Sequence, residues 1–229
     1  MVIGNGMIAK AFESYRDKEG FIIFASGVSD STNADTTAFE REMKLITDTI
    51  ENNRDKLLVY FSTCSINDPS MQDSAYVQHK IKMEDFIIQN HASFIIFRLT
   101  NPIGKTKNTH TVVNYFIKNM IENHEFTVWK NAGRNIIDID DMYLICNEIL
   151  QRNLFINTVI NIANPKNYPV RFIIETIEKH FAISGNYTLL DKGGAPIIDI
   201  TAVEPLFTKF NINFNEQYLP DLLQKYFPK

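Results

Sequence analysis

Cysteine is scarce in this sequence: Cys64 and Cys146 are the two in 229 residues. Two thiols cannot build the disulfide framework of a small secreted scaffold, and such usage fits a reducing compartment, so a cytoplasmic location is expected. The five histidines show no ligand spacing with cysteines or carboxylates, so no metal is expected. Long apolar runs are missing too. Residues 21–25 and 94–97 are apolar but far short of the roughly 20 residues that span a bilayer. No basic stretch precedes an apolar one near residue 1, so no secretory signal is expected. Positive charge is not in excess: 23 Lys and Arg stand against 27 Asp and Glu, for a net charge of −4. With no basic cluster, that balance argues against a nucleic-acid partner. No repeat or low-complexity tract is present.

What remains is an ordinary globular composition, 45% apolar and 22% charged, enough for one large domain or a core with a smaller lobe. Short apolar runs alternate with helical periods, which predicts α/β with a parallel sheet. Strands are expected at residues 1–3, 21–25, 57–61, 94–99 and 159–162, with a short one at 126–129. Helices are expected at 7–15, 37–52, 74–90, 111–122, 170–180 and 216–226. Apolar Phe39, Met43, Ile46 and Ile50 repeat at spacings of three and four, the mark of a buried helical stripe. Proline and glycine thicken after residue 164, where a smaller, less regular lobe is expected. The predicted division is a dinucleotide-binding core at 1–105, to which 135–165 return, and a substrate lobe at 106–134 and 166–229.

The first strand runs into Gly4-Asn5-Gly6-Met7-Ile8-Ala9 and then a helix. Gly-x-Gly-x-x-Ala at such a junction is the phosphate-cradling turn of a dinucleotide fold. The first glycine permits the tight turn, the second lets a pyrophosphate approach the backbone, and the small third residue lets helix and strand pack closely. Gly4, Asn5, Gly6, Met7 and Ile8 are the expected cofactor contacts, joined by Ala25, Ser26 and Gly27 at the end of the next strand. A ligand-free tight turn is the plainer alternative. One element is missing. A dinucleotide fold offers a second strand about twenty residues on, ending in an acid for the ribose. Only residues 16–20 separate the first helix from residues 21–25, so the sheet is expected to be Rossmann-like, doubly wound and shortened by its second strand. Lys10, Arg16 and Lys18 lie in this stretch, either as solvated charges or as partners of a 2′-phosphate, which tilts the expectation slightly from NAD to NADP.

Tyr76 and Lys80 stand one helical turn apart and share a face. A phenol near pKa 10 is a poor acid/base partner at neutral pH. An ammonium about 4 Å away at an effective dielectric near 20 supplies roughly the 4 kcal/mol needed to lower it by about three units. Thr63, expected at the end of a central strand, adds a hydroxyl where open α/β sheets bind their ligands. The plain alternative is a half-buried tyrosine, a surface lysine and a strand-end threonine.

Taken with Arg98-Leu99-Thr100-Asn101-Pro102-Ile103-Gly104 and Arg134-Asn135-Ile136-Ile137-Asp138, these segments resemble the extended short-chain dehydrogenase/reductases, in particular the nucleotide-sugar-modifying members. The resemblance runs through nearly the whole chain. It implies Thr63, Tyr76 and Lys80 as the catalytic set, Asn101 on substrate, and Arg134 on a nucleotide diphosphate, where a guanidinium fork matches phosphate oxygens. Cys64-Ser65 stand where the dehydratase branch has Asp-Glu, which argues against 4,6-dehydration. Cys64 is either a substrate-facing second acid/base for epimerisation or a small strand-end filler. A histidine expected shortly after the Gly104 turn is absent, His110 coming later. Trp129 borders a substrate pocket or packs a core. Asp138, Asp140 and Asp141 read as a strand running into a helix N-terminus rather than a metal site. The resemblance implies an NAD(P)-dependent reductase of a nucleotide-linked keto-sugar, with a nucleotide-sugar epimerase retaining NAD, or a non-catalytic relative, as alternatives. A homodimer through helices 37–52 and 74–90 is implied by analogy alone.

Overall fold

The computed structural model describes residues 1–31, 34–106, 108–109 and 111–228; His110 lies outside them. Five strands form one parallel sheet in the order β1-β2-β3-β4-β8. They are β1 (Val2–Ile3), β2 (Phe21–Phe24), β3 (Leu57–Thr63), β4 (Phe94–Leu99) and β8 (Thr158–Ile162). Every residue of β3 is buried, as a strand covered on both faces must be. Helices α2 (Thr36–Glu51) and α3 (Ala75–Asn90) cover one face; α1 (Met7–Ala11) and α5 (Ile139–Gln151) cover the other. The sheet is Rossmann-like, and β1 is its outermost strand, because nothing intervenes between α1 and β2 except a 3-10 turn at Glu13–Tyr15 and a short loop. The expected helix over 7–15 is therefore broken. Phe12 and Tyr15 turn inward, and the Tyr15 hydroxyl donates to Asn147 on α5 at 2.8 Å.

A second apolar cluster gathers α4 (Val112–Ile121), β6 (Phe126–Trp129), β7 (Gly133–Asp138), α6 (Val170–Phe181) and α8 (Tyr218–Tyr226). Short β5 (Asn101–Ile103) and β9 (Asn167–Pro169) flank β7, and β10 (Tyr187–Leu190) pairs with β6. A short helix, α7 (Glu204–Lys209), returns to the first cluster. Asp138 caps α5 by accepting from the Asp140 amide at 2.9 Å. Lys225 and Tyr226 of α8 bind the same carboxyl, at 2.7 and 2.6 Å.

Gly4 carries the tight turn after β1. Its φ of +123° is a conformation that side chains rarely adopt, and a Cβ there would lie 2.3 Å from the Ala25 carbonyl oxygen. Gly4→Ala is therefore expected to cost on the order of 3 kcal/mol, read by urea unfolding. A loss within error of zero would mean that the turn is not held this way.

Candidate active site

The carboxyl ends of β1, β2, β3 and β4 lie along one edge of the sheet, and the residues singled out by sequence collect there. The turn at Gly4 to Gly6 touches the end of β2 through Ala25. Nothing lies within 4 Å of a Cβ built on Gly6, so its backbone faces open space. Two buried hydroxyls, Ser62 Oγ at the end of β3 and Thr100 Oγ1 just past β4, have no hydrogen-bond partner among the described residues. Buried orphans of this kind call for a polar ligand or water. Met7 packs against Gly104, closing the edge beneath α5.

Thr63 and Tyr76 meet as the sequence predicts. Thr63 ends β3 and accepts from the Ser65 amide at 3.1 Å, which fixes the following 3-10 turn. Its side chain lies near enough to the Tyr76 hydroxyl to lower that phenol's pKa. Tyr76 is 7% exposed and packs with Val28 and Val77. Burial pushes its phenol up to about 12; Thr63 pulls it down, while the charges of Glu42 and Asp30 push it further up.

Lys80 corrects the expectation. Its ammonium does not serve Tyr76; it donates to Glu42 Oε1 at 3.0 Å and to the Tyr60 hydroxyl at 2.9 Å. Glu42 is fully buried, and it also accepts from Tyr60 at 2.6 Å and from the Val28 amide at 2.7 Å. His79 Nε2 lies 3.0 Å from its other oxygen, and with Glu42 ionised that contact requires the proton on Nε2. Burial alone would raise the Glu42 carboxyl. The hydrogen bonds from His79 and Tyr60, the Val28 amide and the Lys80 charge outweigh it and hold the carboxyl at about 2. Burial lowers Lys80, with Glu42 opposing. The arrangement is tight: a Cβ on Gly27 would come within 2.6 Å of Lys80 Nζ and 2.7 Å of Glu42 Oε1. Gly27, expected against cofactor, is thus the floor of this ion pair. Ser26 gives its carbonyl to Arg41 at 3.2 Å. A neighbouring pair, Arg98 with Glu84, closes at 2.6 Å.

Sequence reasoning missed Glu42, although a signal was present. It falls three residues after Phe39 and four before Ile46, on the apolar stripe of α2, where a carboxylate must find buried partners.

Cys64 also departs from the substrate-facing expectation. The thiol is 3% exposed, donates to the Arg98 carbonyl at 3.1 Å and is pushed by burial up to about 12. It fills the strand end. Asn101 donates to the Asn135 carbonyl at 2.8 Å, joining β5 to β7. Arg134, on β7, donates to the Gly133 carbonyl at 3.0 Å; burial lowers its pKa and the Asp68 charge raises it. Asp68, Ser70, Trp129, Lys192 and Gly193 line a cleft of about 490 Å³. Trp129 is 42% exposed and borders this cleft rather than packing a core. Among the described residues no group of three or more metal-binding side chains gathers, and no helix is long and apolar enough to cross a membrane.

No curated protein matches the chain by sequence. Solved structures share its fold. UDP-glucuronic acid 4-epimerase from Bacillus cereus, in complex with UDP-glucuronic acid and NAD, superposes with a TM-score of 0.72 at 17% identity, over 96% of this chain and 76% of that one. The Bordetella bronchiseptica enzyme WbmH, in complex with NAD+, gives 0.67 at 16%, over 96% and 78%. RMD from Pseudomonas aeruginosa, complexed with NADPH, gives 0.68 at 13%, over 89% and 91%. The model of the NAD dependent epimerase/dehydratase family matches residues 25–163, which hold the Thr63–Tyr76 pair and both strand ends beside it, and the chain belongs to that family.

Proposed function

We propose that the chain is an NAD(P)H-dependent reductase of a keto-sugar linked to a nucleotide diphosphate. The observation that carries this reading is the capture of Lys80 by Glu42 while Tyr76 stays beside Thr63. An ammonium neutralised at 3.0 Å has little field left with which to ionise a phenol. Tyr76 is then a proton donor at neutral pH. Reduction needs a donor, because hydride arriving at a ketone carbon leaves an alkoxide, more basic than a phenolate. Epimerisation through a ketone first needs the same tyrosine as a base, which a phenol near 12 opposes.

The site fits the nicotinamide and diphosphate part of the cofactor. Gly4, Asn5 and Gly6 would pass the phosphates close to the backbone. The unpartnered Ser62 hydroxyl and the Thr63–Tyr76 pair lie at the strand ends beyond. A reduced nicotinamide bound there supplies the hydride. Thr63 orients the carbonyl oxygen, Tyr76 hands its proton to that oxygen as the C–H bond forms, and Tyr76 regains a proton from solvent. Substrate falls to the lobe of residues 106–134 and 166–229. Trp129 offers a face to a base and Lys192 a cation to a diphosphate in that cleft, and Arg134, within the field of Asp68 on its lining, would add a second cation. Asn101, already bound to the Asn135 carbonyl, would meet the sugar with its remaining acceptor.

The test is to mix protein, NADPH or NADH, and nucleotide-linked keto-sugars. One reduced nicotinamide consumed per alcohol formed is the expected result. Interconversion of sugar epimers with no net loss of reduced nicotinamide would replace this reading with the epimerase.

A further inference from the structure

We propose that this chain holds its nicotinamide cofactor through the nicotinamide mononucleotide half and gives the adenosine half no site. The inference rests on the reductase reading above, but its observations are separate. In a doubly wound dinucleotide fold the first strand lies inside the sheet, and the adenosine rests against the second βα unit, whose terminal acid takes the ribose. Here β1 is the outermost strand and pairs with β2 alone, Val2 opposite Ile23 and Ile3 opposite Phe24. Among the described residues there is no shelf on which an adenosine would rest.

The segment that replaces that unit is committed elsewhere. Phe12 and Tyr15 are buried beneath α5, with the Tyr15 hydroxyl shared between Asn147 at 2.8 Å and Gln151 at 2.9 Å. The Met1 amine donates to the Tyr15 and Phe21 carbonyls, both at 3.0 Å, and locks the segment against the sheet. Topology disposes of the charges. The chain descends α1 from the carboxyl end of β1 to the amino end of β2, so residues 16–20 lie at the edge opposite the glycine turn. Arg16 is bound to Glu13 at 2.5 Å, and Lys18 sits over the Tyr15 ring at 4.7 Å. Neither can reach a 2′-phosphate at the ligand edge, so two of the three cations that favoured NADP are out of play. Lys10, on α1, is an exposed side chain.

The half that remains is the one the strand ends present. Gly6 faces open space, Gly4 brings its backbone against Ala25, and the Ser62 hydroxyl is 94% buried without a partner.

Calorimetric titration of the purified chain with reduced nicotinamide mononucleotide, NADH and NADPH tests this. Dissociation constants within about threefold of one another are expected, because an adenosine that touches nothing contributes nothing. Gly6→Leu, whose side chain enters open space, is expected to melt as the parent does and to weaken all three ligands together. NADH binding tenfold or more tighter than the mononucleotide would overturn the inference and leave the reductase reading standing. A tenfold preference for NADPH over NADH would overturn it in the same way. Failure of all three ligands to bind would sink both.

Discussion

Glu42→Ala is expected to cost the fold about 3–5 kcal/mol, the usual consequence of removing one member of a buried ion pair. The loss has identifiable parts. Lys80, the Tyr60 hydroxyl, His79 and the Val28 amide all use Glu42, and all four residues are buried. An ammonium left alone in such a place either deprotonates or opens the packing of α2 on α3. Acid should reproduce part of the effect in the parent protein. The folded carboxyl titrates at about 2, below its ordinary 4.5. The stability it lends is therefore complete above roughly pH 4.5 and drains as pH falls toward 2, since the unfolded chain takes the proton first. Glu42→Ala should lack that limb of the stability–pH curve. Urea unfolding at several pH values measures both effects. A loss below about 1 kcal/mol would mean that the cluster is solvated and that Lys80 is free to act on Tyr76 after all.

Tyr76→Phe should lower turnover by about 10²–10⁴-fold, the range of a lost general acid, while the melting temperature barely moves. The variant keeps the ring that packs on Val28 and Val77 and loses only the hydroxyl near Thr63. The parent enzyme's pH profile carries the sharper information. A general acid works while protonated, so the rate falls as pH rises through its pKa. With the phenol near 12, the reductive rate should stay flat from neutral pH to about 10. A falling limb centred near pH 7 would show Lys80 lowering the tyrosine in the working enzyme. A Tyr76→Phe protein of full activity would remove the tyrosine from the mechanism altogether.

Much of the sheet was legible because its signals are local. Leu57 to Phe61 and Phe94 to Phe97 are unbroken apolar runs, and such runs between turn residues have few other homes. The missing second strand was legible for the same reason: too few residues separate Tyr15 from Phe21 to hold one. Thr63 and Tyr76 could be paired because a strand end and a helix start at fixed spacing converge by geometry. Lys80 could not be placed, because its partner is chosen across the fold. Spacing puts it on the face of Tyr76, yet a carboxylate 38 residues earlier binds it. In the sheet of β5, β7 and β9 only the strand ending at Asp138 was legible, since β5 and β9, with three residues each, carry almost no periodicity. The inward turn of Cys64 depends on the Arg98 carbonyl of the next strand, another long-range choice.

The shortness of β1 bears on aggregation. An open sheet edge ordinarily invites another chain to continue the ladder. Here the edge strand has two residues, and the neighbouring amine is already spent on the Tyr15 and Phe21 carbonyls. At the far edge, Asn161 of β8 reaches the Asp199 carbonyl at 2.9 Å, so passing chain lies across that side. The β1 border offers too few backbone groups to template a strand. Continuing the main sheet from its β1 side is therefore a poor route by which copies of this protein could stack.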